Sequence, residues 1–340
     1  SVVINAKGEL IRLLNKRAGL IDETIYFQYL DRQNNLWLAL DNGISKVEIN
    51  SPLTFINSKA GLNGRVESII RHNGILFVAT NLGVYYLPTC LALPEDKQAG
   101  LPSITGTGRL KKQDNHDYSS IFESCLPKQI PGISYECLDL LSFPIPPFGG
   151  DFGGAGGGTK NVLLVAANDG VFQINKDLHI NKIIDNNSSV LHLSRYDPHR
   201  IFVGLADGLK SIYWKNGSWV DEGKIKGINE NVVSIGEEDD GVLWLGTNNQ
   251  GVVRFNSNYV ERIHDLSPNV NDVHSRVNIS KYDTKDGLPK GTIYVHLILN
   301  RMIFATAKGL YKPVPGNSQR SISFMPDSSF GVFFADSSKW

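Results

Sequence analysis

The side chains in this sequence able to do acid–base or metal chemistry are scattered. The histidines are His72, His116, His179, His192, His199, His264, His274 and His296. None belongs to an HExxH pair, and no G-x-S-x-G turn occurs, so neither the zinc-hydrolase nor the serine-hydrolase arrangement is spelled out. Cys90, Cys125 and Cys137 form no CxxC or Cys/His ligand spacing. Cys125 and Cys137 could pair, or all three could be small buried apolar residues. The acidic stretches "DRQNN" (residues 31–35) and "EEDDG" (237–241) lack the spaced oxygen ligands and terminal Glu of a calcium loop. Asp and Asn that bond their own backbone in turns account for both. The glycine-rich "GGDFGGAGGGTK" (149–160) invites a phosphate-loop reading, but Gly158-Thr159-Lys160 is in the wrong order and "NVLLVAAN" after it is a strand, not a helix. A flexible insertion at a hairpin tip fits better. No catalytic residue, metal or cofactor is assigned.

Whatever the chain binds must be positioned by its repeats. "NLWLALDNGISKVEI" (35–49), "GILFVATNLGVYYL" (74–87) and "GVLWLGTNNQGVVRF" (241–255) are variants of one phrase. Each has an apolar strand ending in small residues, a polar turn closed by glycine, and a further strand. Large apolar anchors, Trp37, Phe77, Leu164, Phe202, Trp244 and Ile303, precede the closing glycines Gly43, Gly83, Gly170, Gly208, Gly251 and Gly309. Where no insertion intervenes the anchors recur about every 40 residues, the period of a four-stranded propeller blade. Between copies a Gly-Leu signal recurs, in "AGL" at Ala18, "AGLNG" at Ala60, "PGIS" at Pro131 and "DGLP" at Asp286, marking the loop into the next blade.

The start, "SVVINAKGELIRLLN", reads as the third and fourth strands of a blade, and the end, "SSFGVFFADSSKW", as an inner strand and an anchor at Trp340. The expected fold is therefore an all-β, seven-bladed β-propeller with four antiparallel strands per blade, the last closed by strands from both termini. Such closure removes exposed sheet edges. Residues 1–340 are read as a single domain with insertions at 87–117, 144–160 and 263–278, and as a segment of a longer protein.

In this architecture the turns between second and third strands share a face with the inter-blade loops. Their polar residues, Asp41, Asn42, Asn81, Asn168, Asp169, Asp207, Asn248, Asn249, Gln250 and Lys308, form the candidate ligand ring. Asn, Asp and Gly are also what such turns need for their own geometry. His192 and His296 are placed on first, inner strands, where propeller lyases and lactonases hold catalytic or metal-binding histidines. Trp37 and Trp244, at a repeating position, are expected to pack between blades rather than stack on sugars.

Composition narrows the field. The 34 basic and 34 acidic residues give zero formal net charge, which leaves no electrostatic footprint for nucleic acid or an anionic membrane. No apolar run approaches the roughly 18 residues of a membrane helix.

"GLIDETIYFQYLDRQNNLWLALDNGISKVEI", "NVVSIGEEDDGVLWLGTNNQGVVRF" and "YDTKDGLPKGTIYVHLILNRMIFATAKGLY" resemble two-component regulator propeller repeats. The shared pattern is Gly-Leu, a strand, Asp-x-x-Gly-x-Leu-Trp-(Leu/Ile)-Gly-Thr, then Gly-Leu. Leu164 and Ile303 depart from it, as do the insertions between residues 87 and 160. The resemblance implies a periplasmic or otherwise extracytoplasmic sensor region of a membrane-anchored signalling protein, with an oligosaccharide-like ligand. It implies no binding residues, because the motif positions are structural. Expected partners are that small-molecule or oligosaccharide ligand and neighbouring domains of the same protein, with a homodimer left open and no nucleic acid or membrane contact. A propeller lyase or hydrolase acting on carbohydrate or lactone, and a protein-interaction platform, are the alternatives.

Overall fold

The computed structural model describes residues 2–4, 10–16, 19–49, 56–88, 126–145, 161–257, 279–316 and 322–329. The described chain is all-β, a run of antiparallel sheets whose strands follow one another in sequence. Strands β1 (Val2–Ile4) and β2 (Leu10–Leu13) form a two-stranded sheet. Strands β3 (Ile25–Leu30), β4 (Asn35–Leu40) and β5 (Gly43–Glu48) form a three-stranded one. Five four-stranded sheets follow. The first of them joins β6 (Val66–His72), β7 (Ile75–Thr80), β8 (Gly83–Leu87) and β9 (Lys128–Gln129). The next is β10 (Cys137–Pro144), β11 (Asn161–Ala167), β12 (Gly170–Ile174) and β13 (Ile180–Ile184). Then come β14 (Ser188–Leu193), β15 (Arg200–Leu205), β16 (Gly208–Lys215) and β17 (Ser218–Lys224). Strands β18 (Val232–Glu237), β19 (Val242–Thr247), β20 (Val252–Asn256) and β21 (Ser280–Tyr282) make the fourth. The last is β22 (Tyr294–Ile298), β23 (Arg301–Thr306), β24 (Gly309–Pro315) and β25 (Ile322–Pro326).

The blade count differs from expectation: six blade-like sheets stand among the described residues, not seven. The N-terminal strands expected in the seventh pair only with each other, and residues 330–340, expected to complete it, lie outside the described residues. So do Cys90 and Cys125 and most of the three insertions. Among the described residues no helix is long and apolar enough to cross a membrane.

Local chemistry explains the meander. The Thr of "VAT", "LGT" and "FAT" ends the second strand and clamps the turn. Thr80 Oγ1 donates to Gly83 O (2.9 Å), Thr247 Oγ1 to Gly251 O (2.7 Å) and Thr306 Oγ1 to Gly309 O (2.8 Å). Each hydroxyl also accepts a turn amide, from Leu82, Gln250 and Lys308. The Gly-Leu signal has its own cause. Gly19, Gly61, Gly132 and Gly287 all take positive φ, which only glycine adopts freely, and Leu20, Leu62, Ile133 and Leu288 after them are buried. Gly227–Ile228 is a further copy that the sequence reading passes over.

Two compact units are distinguished, Ser1–Arg65 with Asn73–Phe77 and Val84–Pro131, and Val66–His72 with Val78–Gly83 and Gly132–Trp340. In the second unit each sheet's first strand lies against that of the next, from β6 through β10, β14 and β18 to β22. Facing sheets share apolar cores. Phe143, Leu164 and Ala166 pack with Leu191, Ile201 and Val203; Phe202 and Leu209 with Val232 and Leu243; Trp244 and Tyr282 with Phe304 and Phe324. The small residues of the phrase allow this approach: a Cβ on Gly246 would sit 2.2 Å from Ile293 O of the following segment.

Candidate functional site

The turn-tip residues lie where the repeats place them, and all except the half-buried Asn81 are exposed. In the first unit Asp41 accepts from the Tyr26 hydroxyl (2.9 Å), and Asn42 sits beside it at the tip. In the second unit the tips are tied to the loops that lead into first strands. The Asn168 side chain donates to Glu136 Oε2 (2.8 Å), and Gln250 Oε1 accepts from Asn231 N (2.7 Å). Asn248 Oδ1 accepts from Thr292 Oγ1 (2.9 Å) and from Asn249 Nδ2 (3.1 Å). Tips and inter-sheet loops therefore emerge on the same side. Asp169 pairs with Lys182 (3.1 Å) and Asp207 with Lys224 (2.5 Å), so these two carboxylates are already matched to fourth-strand lysines. Lys308 donates its backbone N–H to Thr306. What the tips offer is a set of exposed amides with spare donors and acceptors.

A second set of polar groups, on the first strands, was not legible as a set. Among the described residues of the second unit one edge of each first strand has no strand partner, and at several positions a side chain from the neighbouring sheet bonds its backbone. Asp139 of β10 accepts from Leu191 N of β14 (2.9 Å), from Leu140 N (2.8 Å) and from Ser68 Oγ of β6 (3.2 Å). Ser234, at the same register in β18 (opposite Gly246, as Asp139 is opposite Ala166), accepts from Val295 N of β22 (2.8 Å). His72 Nδ1 meets Ser142 Oγ at 2.8 Å, and Ser189 Oγ is bonded to Val232 O. The available clue was a lone Asp or Glu in an apolar strand, as in "CLDLLSF" and "VVSIGEE".

His192 and His296 lie on first strands, as expected, and at one register, opposite the anchors Phe202 and Ile303. They differ in surroundings. His296 is exposed and has no hydrogen-bond partner among the described residues. His192 Nε2 lies 2.9 Å from Glu237 Oε2, whose carboxylate is fully buried and also accepts from Ser194 Oγ (2.9 Å), Arg195 N (2.6 Å) and Tyr196 N (3.4 Å). Burial pushes the Glu237 carboxyl up, but the bonds from His192, Arg195 and Ser194 outweigh it and hold the group below its ordinary value. For Asp139 burial wins, and its carboxyl is raised despite its three donors. Among the described residues no group of three or more His, Cys, Asp or Glu side chains could hold a metal ion.

Three further expectations meet the structure. Trp244 is buried against Tyr282, Phe304 and Phe324, as expected of a packing residue. Trp37 is not: it is 39% exposed on a face with Phe27, Tyr29, Ala39 and Ile44. That departure has a local component, because the Trp37 indole N–H is held at 2.9 Å by Asp31, which also accepts from Gln33 N and from Asn35. The indole hydrogen bond leads these in lowering Asp31 to about 2, so the "DRQNN" acid is spent on its own turn. Cys137 is buried, and burial pushes its thiol up to about 12.

No protein-family model matches the chain, and no curated protein aligns with it. Among solved structures, one similar chain is the extracellular domain of a protein assigned as a hybrid two-component system from B. thetaiotaomicron. It has 14% identity and a TM-score of 0.49, with 92% of this chain and 38% of that one covered. The chain thus spans well under half the length of that structure. Virginiamycin B lyase from Staphylococcus aureus has 12% identity and a TM-score of 0.44, over 89% of this chain and 84% of that one. The β-propeller domain of Myceliophteria thermophila Cps50 (Swd1) has 10% identity and a TM-score of 0.43, over 77% and 72%.

Proposed function

We propose that this chain is the ligand-sensing, extracytoplasmic region of a two-component-type signalling protein. It folds as a propeller-like run of antiparallel β-sheets, and it recognises a carbohydrate-like ligand without transforming it. The observation that carries the reading is the shared side of turn tips and inter-sheet loops in the second unit, tied by Asn168–Glu136, Gln250–Asn231 and Asn248–Thr292. The recurring letters of the repeat are occupied in folding, Thr247 in the turn, Gly246 in the close approach and Trp244 in the core. Recognition is left to loops on a rigid frame, the usual division of labour in repeat folds. Neighbouring domains of the same protein, and a second copy, are the proposed partners in signalling.

The test is a thermal-shift screen against neutral oligosaccharides, with divalent metals as a parallel arm. A ligand at ~100 times its Kd adds about 2.7 kcal/mol of stability. A shift with one glycan class, no metal effect and no turnover supports the sensor. The His192–Glu237 contact favours a second reading, a propeller enzyme acting on carbohydrate or lactone. Product formed from the glycan, or a shift with metal alone, would replace the sensor by that enzyme.

A further inference from the structure

In the first unit one face of the three-stranded sheet is lined with rings. Tyr29 stands directly opposite Trp37, and Phe27 opposite Ala39, which has Ile44 on its other side. These five side chains line a concavity of about 430 Å³, within the roughly 300–1,000 Å³ of small-molecule sites. Phe27, Tyr29 and Ile44 are each more than half exposed. The face is not shaped for a sheet to close over it as one closes over Trp244. There the residue opposite the tryptophan is Gly236, whose Cβ would sit 2.8 Å from Met302 Sδ, and a Cβ on Gly246 would meet Ile293 O. Here Tyr29 and Ala39 fill those two positions, and Phe27 stands where Ser234 does. Full aromatic side chains occupy the space into which a neighbouring sheet would have to come.

Charge and size narrow the occupant. None of the five lining residues is charged, and on the same face Lys46, opposite Trp37, pairs with Glu48 at 3.3 Å. An ionic ligand would lose hydration there without gaining a counter-charge. Five lining residues fall far short of the roughly 20–30 a side that a stable protein interface uses, which disfavours a second copy. The Trp37 ring is fixed in advance, its indole N–H held by Asp31, so stacking on it costs little rotamer freedom. Aromatic faces carry the negative side of the ring quadrupole and attract polarised C–H groups. A pyranose with equatorial hydroxyls turns such a C–H face toward a ring and keeps its hydroxyls at the edge, where the Tyr29 phenol can bond them. We propose that the Trp37 face of β3, β4 and β5 is a stacking platform for a neutral oligosaccharide of equatorially substituted pyranoses, with Trp37, Tyr29 and Phe27 as its contact residues. This rests on the reading that the chain binds a carbohydrate-like ligand, and it moves that ligand from the turn tips to a sheet face.

The experiment is calorimetry of the full chain, with Trp37→Ala and Tyr29→Ala beside the parent, against cello-, xylo-, manno- and galacto-oligosaccharides. The cello- and xylo-forms, whose ring hydroxyls are all equatorial, should bind best, and each variant should weaken them about tenfold, the scale of one aromatic contact. Tyr29 lies largely in water, so Tyr29→Ala should leave the melting temperature near that of the parent. Fluorine NMR of the parent labelled with 5-fluorotryptophan gives a readout independent of the variants' folding. The Trp37 signal, identified by its loss in Trp37→Ala, should sense solvent before glycan is added and move when it binds. A glycan that binds the parent and both variants equally overturns the proposal and leaves the sensor standing. A Trp37 signal already shielded from solvent without glycan, or a parent dimer that Trp37→Ala dissociates, overturns it as well, because the face is then covered by protein. Tighter binding of the manno- or galacto-forms would overturn the equatorial assignment. If no glycan binds the parent at all, the sensor reading fails and takes this proposal with it.

Discussion

Burial raises Asp139 and Glu237 alike, yet the two carboxyls end on opposite sides of their ordinary values because the bonds to Glu237 outweigh its burial and those to Asp139 do not. Stability should follow each in its own sense. Glu237, held low, stabilises the fold above the unfolded glutamate pKa of about 4.3, and that contribution disappears as pH falls through its lower folded value. Glu237→Gln should therefore cost about 2 kcal/mol at neutral pH, the scale of hydrogen bonds to a buried charge, and the gap should close in acid. Asp139, held high, favours the fold when protonated. Relative to Asp139→Asn, the parent should gain stability as pH drops from neutral through the raised folded pKa, with the gain complete below the unfolded aspartate pKa of about 3.9. Denaturant midpoints across pH check both, and a pH-independent difference would contradict the assignments. Thr247→Val keeps the shape of a fully buried residue and deletes both turn bonds, so about 1–2 kcal/mol should be lost in the same measurement. The sequence announces the threonine through its repetition. It does not announce the two acids, because each occurs once and its partners lie in other sheets.

Strands and turns were the most legible part, since they are set by short-range rules: an apolar run, a clamped turn, a glycine at positive φ. Pairings within each sheet follow, and β14, β18 and β22 appear where the phrase puts them. What short-range rules miss is environment. Trp37 and Trp244 hold the same position in the same phrase, yet only Trp244 is closed over, because burial is decided by the sheet opposite. The small residues make the same point from the other side. Gly246→Ala leaves β19 intact as a strand but drives a methyl group into Ile293 O, and backbone cannot step aside as a side chain can. We expect a loss of about 1–3 kcal/mol, the range for overpacking, read by thermal or chemical melting. A neutral outcome would mean that neighbouring sheets slide more easily than their packing suggests.

For the molecule as a whole, the repeat count was readable only to the extent that every copy could be seen: six blade-like sheets stand among the described residues, with a two-strand remainder at the start. Ion dependence is also a property of the whole. The acids that attract a calcium reading are consumed locally, Asp31 by Gln33, Asn35 and Trp37, and Asp240 by Val242 N. Dialysis against a chelator should leave the melting temperature unchanged, and a fall would reveal a cation that these turns do not account for. The tie from Ser234 to Val295 N has a consequence for how such a chain can lengthen. The accepting side chain belongs to one unit of about 40 residues and the donating amide to the next. A tandem duplication of a single unit would copy both halves, so each added blade would arrive already able to grip its predecessor and be gripped by its successor. New blades need no new chemistry at the seam, and mutation is free to work on the loops.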